Sequence, residues 1–423
     1  IRLFDETSAA LRFPFKNKSL TQAEILNLLS DVDPKTRKIA GKSLSEVLEN
    51  NKRIFGMILN VISRDRFIED NKRGFKRIMS SRNLDNDVED EVVDKLVDTI
   101  DKAMPKLTHR YYKWKANQFG HKSLDWWDRN APLPYSSENL IKWSEAKDII
   151  LDSFSSFHPE ISNLAELFFK NNWIDASLRK GKASGAFAHP SVPSLHPYIL
   201  VNYQGKIRDV MTLAHELGHG VHQILAGKNG LLMAETPLTL AETASVFGEM
   251  LVFRKLLDES SIAQKKQLLS NKIEDMLNTV ARQIGFHQFE VKFHEARIKS
   301  ELTPEEISNI WMETQSHAVG PHINLGDDYR FLWGYIPHFV HTPFYVYAYA
   351  FGDSLVNALW YAYQQSDKNN FSNKYIEMLS SGGTKSHNEL LKPFNLSAYD
   401  NSFWEKGITM ITGLMDELDD LDN

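Results

Sequence analysis

The sequence predicts a mainly α fold that contains one small antiparallel β-sheet. Long stretches place apolar residues at helical spacing, and a single region rich in Gly, Pro and Ser interrupts them. That region ends in a run of strand-forming residues. At 423 residues, the chain is long enough for one large domain or for two to three ordinary ones.

The composition is typical of a globular protein and excludes several functional classes. Hydrophobic residues make up 42% and charged residues 25% of the chain, and the net charge is -6. Nucleic-acid and anionic-membrane surfaces both require clustered Lys and Arg, so we expect neither partner. No apolar run approaches the roughly 18 residues of a membrane span. The absence of cysteine excludes disulfides, thiolate zinc sites and cysteine nucleophiles, and it fits a cytoplasmic protein.

The helical pattern extends over most of the chain. Residues 19–32 open with Ser/Thr-x-x-Gln/Glu capping signals, and residues 87–107 and 260–298 form long amphipathic runs with charged outer faces. The same spacing of apolar residues continues in three further segments, at residues 138–154, 303–316 and 398–418.

The interruption covers residues 181–205, "GKASGAFAHPSVPSLHPYILVNYQG". Its Gly and Pro residues predict turns, and "PYILVNY" predicts a strand at about residues 198–203. We expect a small antiparallel sheet whose last strand leads through Gly205 into the next helix.

That helix contains the motif H-E-x-x-H within "LAHELGHGVHQ", residues 213–223. Asp209 is a candidate cap, and the helix is expected to end at Gly227. A spacing of four puts His215 and His219 on one face, which suits two ligands of a tetrahedral zinc ion. Glu216 lies beside them and is predicted to act as the general base on a water at the metal.

His222 shares the face of the two motif histidines but is not expected to be a ligand. A catalytic zinc site keeps one position open for water and substrate. We therefore assign His222 to the surroundings of the ligands, with a structural four-ligand site as the alternative. The glycines Gly218 and Gly220 are poor helix formers, and they suggest close packing against another backbone.

The third ligand is predicted to come from the next helix, where Glu242 follows His219 by 23 positions. Glu242 also completes a Thr239-x-x-Glu capping box, which would give it a purely structural role. The apolar and small neighbours in "LAETAS" favour the ligand, because an unpaired carboxylate is costly there. Glu249 is placed to hydrogen-bond a ligand histidine, or alternatively to form an ion pair.

Several motifs occur together in an order that resembles the thimet/oligoendopeptidase F family of zinc metallopeptidases, closest to its oligoendopeptidase F branch. They are "HPYILVNYQG", "HELGHG", "LAETAS", "RQIGFHQFE" and "IPHFVHTPFYVYAYAFG". The likeness covers the chain from about residue 127 onward, and the preceding helices fit more loosely. Family members usually have further sequence on the N-terminal side, so we expect an upstream segment.

The resemblance implies a large helical metallopeptidase fold with a deep substrate channel between two lobes. We expect an N-terminal helical lobe at residues 1–160 and a zinc-bearing catalytic lobe at residues 161–423. The resemblance also implies that His215, His219 and Glu242 hold one Zn²⁺ ion and that Glu216 is the general base.

The same resemblance implies that a histidine and tyrosines of residues 336–352 bind the substrate carbonyl and the tetrahedral intermediate. The candidates are His338, Tyr345 and Tyr349. Thr342-Pro343 is predicted to start a helix, on which Tyr345 and Tyr349 stack while Tyr347 points elsewhere. A shift of register would exchange Tyr345 for Tyr347, and an aromatic stripe that only packs the core is the alternative.

The leading functional prediction is a zinc-dependent endopeptidase that hydrolyses internal bonds of short, unstructured oligopeptides. A zinc carboxypeptidase or dipeptidyl carboxypeptidase is the alternative. It would require a cationic anchor such as Arg282 or Arg330, although each arginine is more readily explained as an ion-pair partner. A non-catalytic helical binding protein with structural zinc is a remote third prediction. We expect peptide substrates and a monomer or small homo-oligomer.

Overall fold

The computed structural model describes residues 1–134, 140–183 and 185–422, without the side chain of Leu238. Most of these residues are helical and the sheets are small, so the predicted mainly α fold is confirmed. Three residues of the predicted segments, Glu138, Asn139 and Ser184, lie outside the described residues. Within the described ranges, no helix combines the length and the apolarity that crossing a bilayer requires.

The helices and strands are numbered in chain order. The helices are α1 (Arg2–Ala10), α2 (Gln22–Asn27), α3 (Pro34–Asn50), α4 (Lys52–Lys72), α5 (Ser80–Asp85), α6 (Asp90–Ala103), α7 (Thr108–Gln118), α8 (Trp143–Phe157), α9 (Pro159–Lys170), α10 (Ile207–Gly227), α11 (Leu238–Ala241), α12 (Thr243–Asp258), α13 (Ile262–Thr279), α14 (Ala281–Lys299), α15 (Pro304–Val319), α16 (His338–His341), α17 (Tyr347–Gln364), α18 (Lys368–Leu379), α19 (His387–Leu391) and α20 (Asn401–Asp420). The strands are β1 (Phe13–Phe15), β2 (Lys18–Leu20), β3 (Leu124–Asp125), β4 (Ile174–Asp175), β5 (Phe187–His189), β6 (Tyr198–Leu200) and β7 (Ile323–Asn324).

The predicted helices are present, with differences at their ends. The capping pattern of residues 19–32 forms at Thr21, whose hydroxyl accepts from the backbone N–H of Glu24 while the Glu24 carboxylate accepts from the backbone N–H of Thr21. The long run at residues 260–298 is two helices, α13 and α14, which are separated at Val280.

The contacts divide the chain into two compact units. Unit 1 contains residues 1–85, 89–135 and 274–350, and unit 2 contains residues 86–88, 136–273 and 351–423. The lobes expected from the sequence, residues 1–160 and 161–423, are continuous segments, whereas each compact unit combines distant ones. The functional lobes and the channel between them stay predictions.

Unit 1 is built around helix α14. Phe286 and Phe289 of this helix each contact the rings of Trp311, in α15, and of Phe339. Trp311 and Phe339 also contact each other, and the ring centroids of all five pairs lie 5.0–6.3 Å apart. Gly285 lies where a Cβ would be 2.7 Å from the Cβ of Ala318, which brings α14 and α15 close together. The apolar face of α14 therefore organises the core of unit 1.

Unit 2 contains the predicted sheet, but the sheet is mixed rather than antiparallel. Strand β6 lies in the centre, antiparallel to β5 and parallel to β4. Lys182 fixes the segment after β4, because its ammonium donates to the carbonyl oxygens of Asp175 at 2.9 Å and Val201 at 2.6 Å. Strand β4 has two residues, too few to show the alternation by which a strand is recognised in a sequence.

Helices α10 and α12 of unit 2 cross at backbone contact. A Cβ on Gly218 would lie 2.5 Å from the carbonyl oxygen of Ala244 and 2.6 Å from the Cα of Ser245. The close backbone packing expected from Gly218 is therefore present. Gly220 meets a side chain instead, because its Cβ would lie 2.5 Å from the ring of Phe168.

We predict that Gly218→Ala lowers the stability of unit 2 by about 1–3 kcal/mol. The new methyl group would overlap backbone atoms, which cannot move away by a change of side-chain rotamer. The matched control is Gly413→Ala in α20, where no atom lies within 4 Å of the new Cβ. That variant should be more stable than the wild type by about 0.5–1 kcal/mol, owing to the higher helix propensity of Ala. Urea unfolding of both variants tests the pair, and equal stability of Gly218→Ala and wild type would contradict the packing argument.

Candidate metal centre

Helix α10 presents the H-E-x-x-H motif and is capped from inside its first turn. It begins at Ile207, and the carboxylate of Asp209 accepts from the backbone N–H of Gln204 at 2.8 Å and of Lys206 at 3.0 Å. Asp209 therefore stabilises the helix start from the third helical position, whereas the sequence analysis expected it to be the cap residue itself. The helix ends at Gly227, as predicted.

The predicted ligands His215, His219 and Glu242 converge. Each offers a donor atom within 4.8 Å of the other two. Glu242 Oε2 lies 3.3 Å from His215 Nε2 and 3.5 Å from His219 Nε2, and the two imidazole centroids are 4.9 Å apart. In the part of the chain that the structure describes, no other group of His, Cys, Asp and Glu residues has this metal-ligand geometry.

Glu242 occupies the junction between α11 and α12 rather than the interior of one helix. Its backbone ends α11 and immediately precedes α12, so the single helix expected from the sequence is broken at the ligand. Ser245 donates its hydroxyl to Glu242 Oε2 at 2.7 Å and orients the carboxylate. The alternative capping box is not formed, since the Thr239 hydroxyl donates to the carbonyl oxygen of Asn86 at 3.5 Å.

The electrostatics of the three ligands favour a cation between them. Burial lowers the pKa of His219 to about 4, so its imidazole is neutral at neutral pH, as a ligand must be. Burial opposes the ionisation of Glu242, but hydrogen bonding and charge from His215 and His219 hold the pKa of its carboxyl at about 2. At His215, burial is outweighed by Glu242 and Glu249, which raise the pKa to about 10. Positive charge is therefore stabilised at this point.

Glu249 orients His215 from the opposite side. Its Oε2 lies 3.3 Å from His215 Nδ1, and its Oε1 accepts a hydrogen bond from the buried Lys272 Nζ at 2.7 Å. The sequence analysis offered a hydrogen bond to a histidine or an ion pair, and Glu249 makes both. With Nδ1 held by Glu249, Nε2 of the same ring is directed towards Glu242, as in metal sites where a carboxylate fixes a ligand histidine.

Glu216 and His222 lie outside the ligand group. The Glu216 carboxylate is buried and accepts a hydrogen bond from the backbone N–H of Ala188 in β5, and burial raises its pKa to about 7. His222 is also buried, and its Nε2 lies 3.4 Å from the Thr236 hydroxyl. The predicted separation of these two residues from the ligands agrees with the geometry.

The predicted aromatic residues of unit 1 lie together. His338 Nε2 is 3.1 Å from the Tyr349 hydroxyl oxygen, and the Tyr345 ring stacks parallel to His338 at 6.0 Å and meets Tyr349 edge-on at 5.1 Å. Tyr347 is fully buried and contacts the His287 ring at 5.7 Å. Among these three tyrosines, Tyr345 and Tyr349 are therefore the pair next to His338.

The backbone around these tyrosines differs from the prediction. His338 begins the short helix α16, and α17 begins at Tyr347, so Thr342-Pro343 does not start a helix and Tyr345 precedes α17. Phe344 has φ = 62°, a left-handed conformation that is unusual for a bulky residue. The chain therefore makes a strained turn directly before Tyr345.

Two residues to which the sequence analysis gave no role hold this turn. The buried Glu290 accepts a hydrogen bond from the backbone N–H of Phe344 at 2.7 Å, and Arg82 Nε donates to the carbonyl oxygen of Pro343 at 3.2 Å. Burial raises the pKa of Glu290 to about 8. The only signal for Glu290 in the sequence was its position at the end of "RQIGFHQFE", one of the motifs that resemble the family.

The candidate carboxylate anchors, Arg282 and Arg330, contact neutral groups. Arg282 Nη2 donates to the Tyr335 hydroxyl oxygen at 3.0 Å, and Arg330 Nη2 donates to Asn309 Oδ1 at 2.8 Å. Within the described ranges neither arginine forms an ion pair with a carboxylate, so the expectation of ion pairs at these positions was wrong.

We predict that Glu249→Gln weakens Zn²⁺ binding by about 10- to 100-fold, because His215 loses the carboxylate that orients it and Lys272 loses its counter-charge. Competition with a fluorescent chelator measures the affinity. Glu417→Gln is the control, since Glu417 pairs with Arg254 in the same unit and does not contact a ligand. Unchanged affinity in Glu249→Gln would show that this carboxylate does not support the ligand.

Comparisons with known proteins identify relatives of this chain. The Bacillus subtilis oligopeptidase PepF is 27% identical over 408 residues, which are 96% of this chain and 60% of that protein. An oligoendopeptidase F homologue of Borreliella burgdorferi is 30% identical over 386 residues, or 90% of this chain and 65% of the relative. The chain thus spans somewhat less than two thirds of the length of these two relatives.

Solved structures share the fold. A Chlamydophila abortus structure described as a peptidase matches this chain with a TM-score of 0.90 at 26% identity. The match covers 99% of this chain and 71% of the Chlamydophila chain. The oligoendopeptidase-F of Enterococcus faecium has a TM-score of 0.78 at 22% identity, with coverages of 99% and 72%, and shows the likeness of the fold alone.

The sequence model of peptidase family M3 matches residues 27–410. M3 is in general a family of zinc metallopeptidases. Because the match covers most of the chain and the curated relatives are oligoendopeptidase F proteins, the predicted resemblance is confirmed: the chain belongs to peptidase family M3, in its oligoendopeptidase F branch.

Proposed function

We propose that this chain is a zinc-dependent endopeptidase that hydrolyses internal peptide bonds of short oligopeptides. The observation that carries the proposal is the convergence of His215, His219 and Glu242, with the buried Glu216 next to them on the same helix. The family and the names of the curated relatives support an endopeptidase over a carboxypeptidase.

The donor set fits one Zn²⁺ ion. Two imidazole nitrogens and one carboxylate oxygen are the ligands of many catalytic zinc sites, which leave a position for water and substrate. When bound, such an ion supplies Lewis acidity and makes water a nucleophile near neutral pH. His215, His219 and Glu242 would hold it, and Glu249 would keep His215 in the required orientation.

Glu216 is proposed to transfer a proton from the attacking water to the leaving amine. Burial raises the pKa of Glu216 to about 7 in the metal-free chain. A carboxylate at this position can take a proton from the attacking water and then pass it to the leaving amine. The hydrogen bond from the Ala188 N–H fixes the carboxylate next to strand β5.

Strand β5 is proposed to hold the substrate backbone. Strand β6 is paired on both sides, whereas β5 pairs with one strand of the described sheet. An extended peptide that adds to β5 would replace the hydrogen bonds that Ala188 makes to Glu216 and Gln223 with main-chain hydrogen bonds, which give affinity without side-chain specificity.

His338, Tyr345 and Tyr349 are proposed to donate hydrogen bonds to the oxyanion of the tetrahedral intermediate. This role rests on the family resemblance. The clustering of one imidazole and two phenol hydroxyls supports it, because all three are groups that can donate to developing negative charge.

A cytoplasmic location and a monomer or small homo-oligomer stay predictions from the sequence.

We predict that Glu216→Gln lowers kcat by about 100- to 10,000-fold while zinc binding and the unfolding midpoint remain close to wild type, because the variant loses only a proton acceptor. An internally quenched peptide with an amidated C-terminus measures hydrolysis. Cleavage of that peptide by the wild type also excludes a carboxypeptidase, which requires a free carboxylate. Wild-type activity in Glu216→Gln would refute the assignment of the base.

We predict that Tyr345→Phe and Tyr349→Phe each lower kcat by about 100- to 1,000-fold with little change in KM, because each removes one hydroxyl donor from the transition state. Tyr347→Phe is the comparison, since Tyr347 lies in the core against His287 and should keep kcat within a few-fold. Steady-state kinetics of the three variants decide the assignment, which fails if Tyr347→Phe alone loses activity.

A further inference from the structure

A small cavity in unit 1 is lined on one side by hydrogen-bond donors. Its volume is about 30 Å³, and its polar lining consists of Arg129, Asn130, Tyr329 and Tyr335. The remainder is apolar and includes Trp126 and Trp127. None of these residues has a role in the proposed peptide hydrolysis.

Arg129 is a buried cation without a carboxylate partner. Its side chain is 9% exposed, it hydrogen-bonds Tyr329, and its Nε lacks a hydrogen-bond acceptor. The nearby acids are already paired: Asp128 accepts from Arg37 at 2.7 Å, and Glu274 accepts from the buried Lys115. Among the described residues no carboxylate forms an ion pair with Arg129.

A second arginine adds positive charge to the same group of tyrosines. Arg282 donates to the hydroxyl of Tyr335, and its Nε also lacks an acceptor. Both Arg129 and Arg282 interact electrostatically with the buried Tyr112. The described part of this cluster therefore contains two guanidinium groups that no carboxylate pairs with. A buried charge without compensation is strongly destabilising.

We propose that this cavity binds a small monovalent anion, with chloride as the ion of suitable size. A guanidinium, an amide NH₂ and phenol hydroxyls all donate hydrogen bonds to an anion. The volume of about 30 Å³ exceeds the roughly 10–15 Å³ that one water requires, so it accommodates a monatomic ion but not a sulfate ion or a peptide carboxylate with its chain. The ion compensates Arg129 and links the Trp126–Trp127 turn to Tyr329.

The test is the thermal unfolding midpoint of the intact protein, measured in sodium chloride and in sodium gluconate at equal ionic strength. Chloride should raise the midpoint saturably by about 1–3 °C, because an ion that binds only the folded state stabilises it. In Arg129→Gln this chloride-specific rise should disappear. In Arg53→Gln, which removes an exposed arginine of α4, the rise should persist.

Crystals of the wild type grown in sodium bromide provide a test that does not depend on the variant folding. An anomalous peak between Arg129, Tyr329 and Tyr335 would confirm an anion at this position. Equal midpoints in chloride and gluconate, or a cavity filled by water without anomalous signal, would overturn the proposal. Loss of peptide hydrolysis in Glu216→Gln has no bearing on either result.

Discussion

The crossing of α10 and α12 at Gly218 is the contact on which the candidate metal centre depends. Because Gly218 has no side chain, the backbone of Ala244 and Ser245 lies where a Cβ would be. This contact places Glu242, the residue directly before α12, next to the two histidines of α10. Ser245 belongs to the same contact and orients the Glu242 carboxylate. One small residue thus determines the distance between ligands that are separated by more than twenty positions in the sequence.

The sequence predicted the histidines of this centre better than its surroundings. A spacing of four on a helix fixes the separation of two side chains, so His215 and His219 needed no tertiary information. The position of Glu242 did need tertiary information, because the helix is interrupted at this residue although neither a Gly nor a Pro stands there. Strand β4 could not be predicted either, since two residues have no periodicity and their partner β6 lies more than twenty positions further along the chain.

The turn before Tyr345 also could not be predicted from the local sequence. Thr342-Pro343 is a common start of a helix, and local propensity favoured that interpretation. The structure instead holds Phe344 at a positive φ, which costs about 1–3 kcal/mol for a residue of this kind and requires compensation from elsewhere. Glu290 and Arg82 supply it by binding the backbone on either side of the Pro343–Phe344 peptide bond. Both are distant in sequence, so no local pattern could reveal the turn.

Charge compensation explains why the two buried polar clusters differ in what they are expected to bind. In unit 2, Glu249 is paired with Lys272, and Glu242 lies between His215 and His219, so a cation bound there would take the place of the proton that His215 holds. In unit 1, Lys115 is matched by Glu274, but Arg129 bonds Tyr329 and Arg282 bonds Tyr335, and among the described residues neither arginine forms an ion pair with a carboxylate. A folded chain tolerates uncompensated buried charge only at a large free-energy cost. The proposed metal ion at the first cluster and the proposed anion at the second therefore follow from the same argument, that a bound ion offsets buried charge which the chain leaves uncompensated.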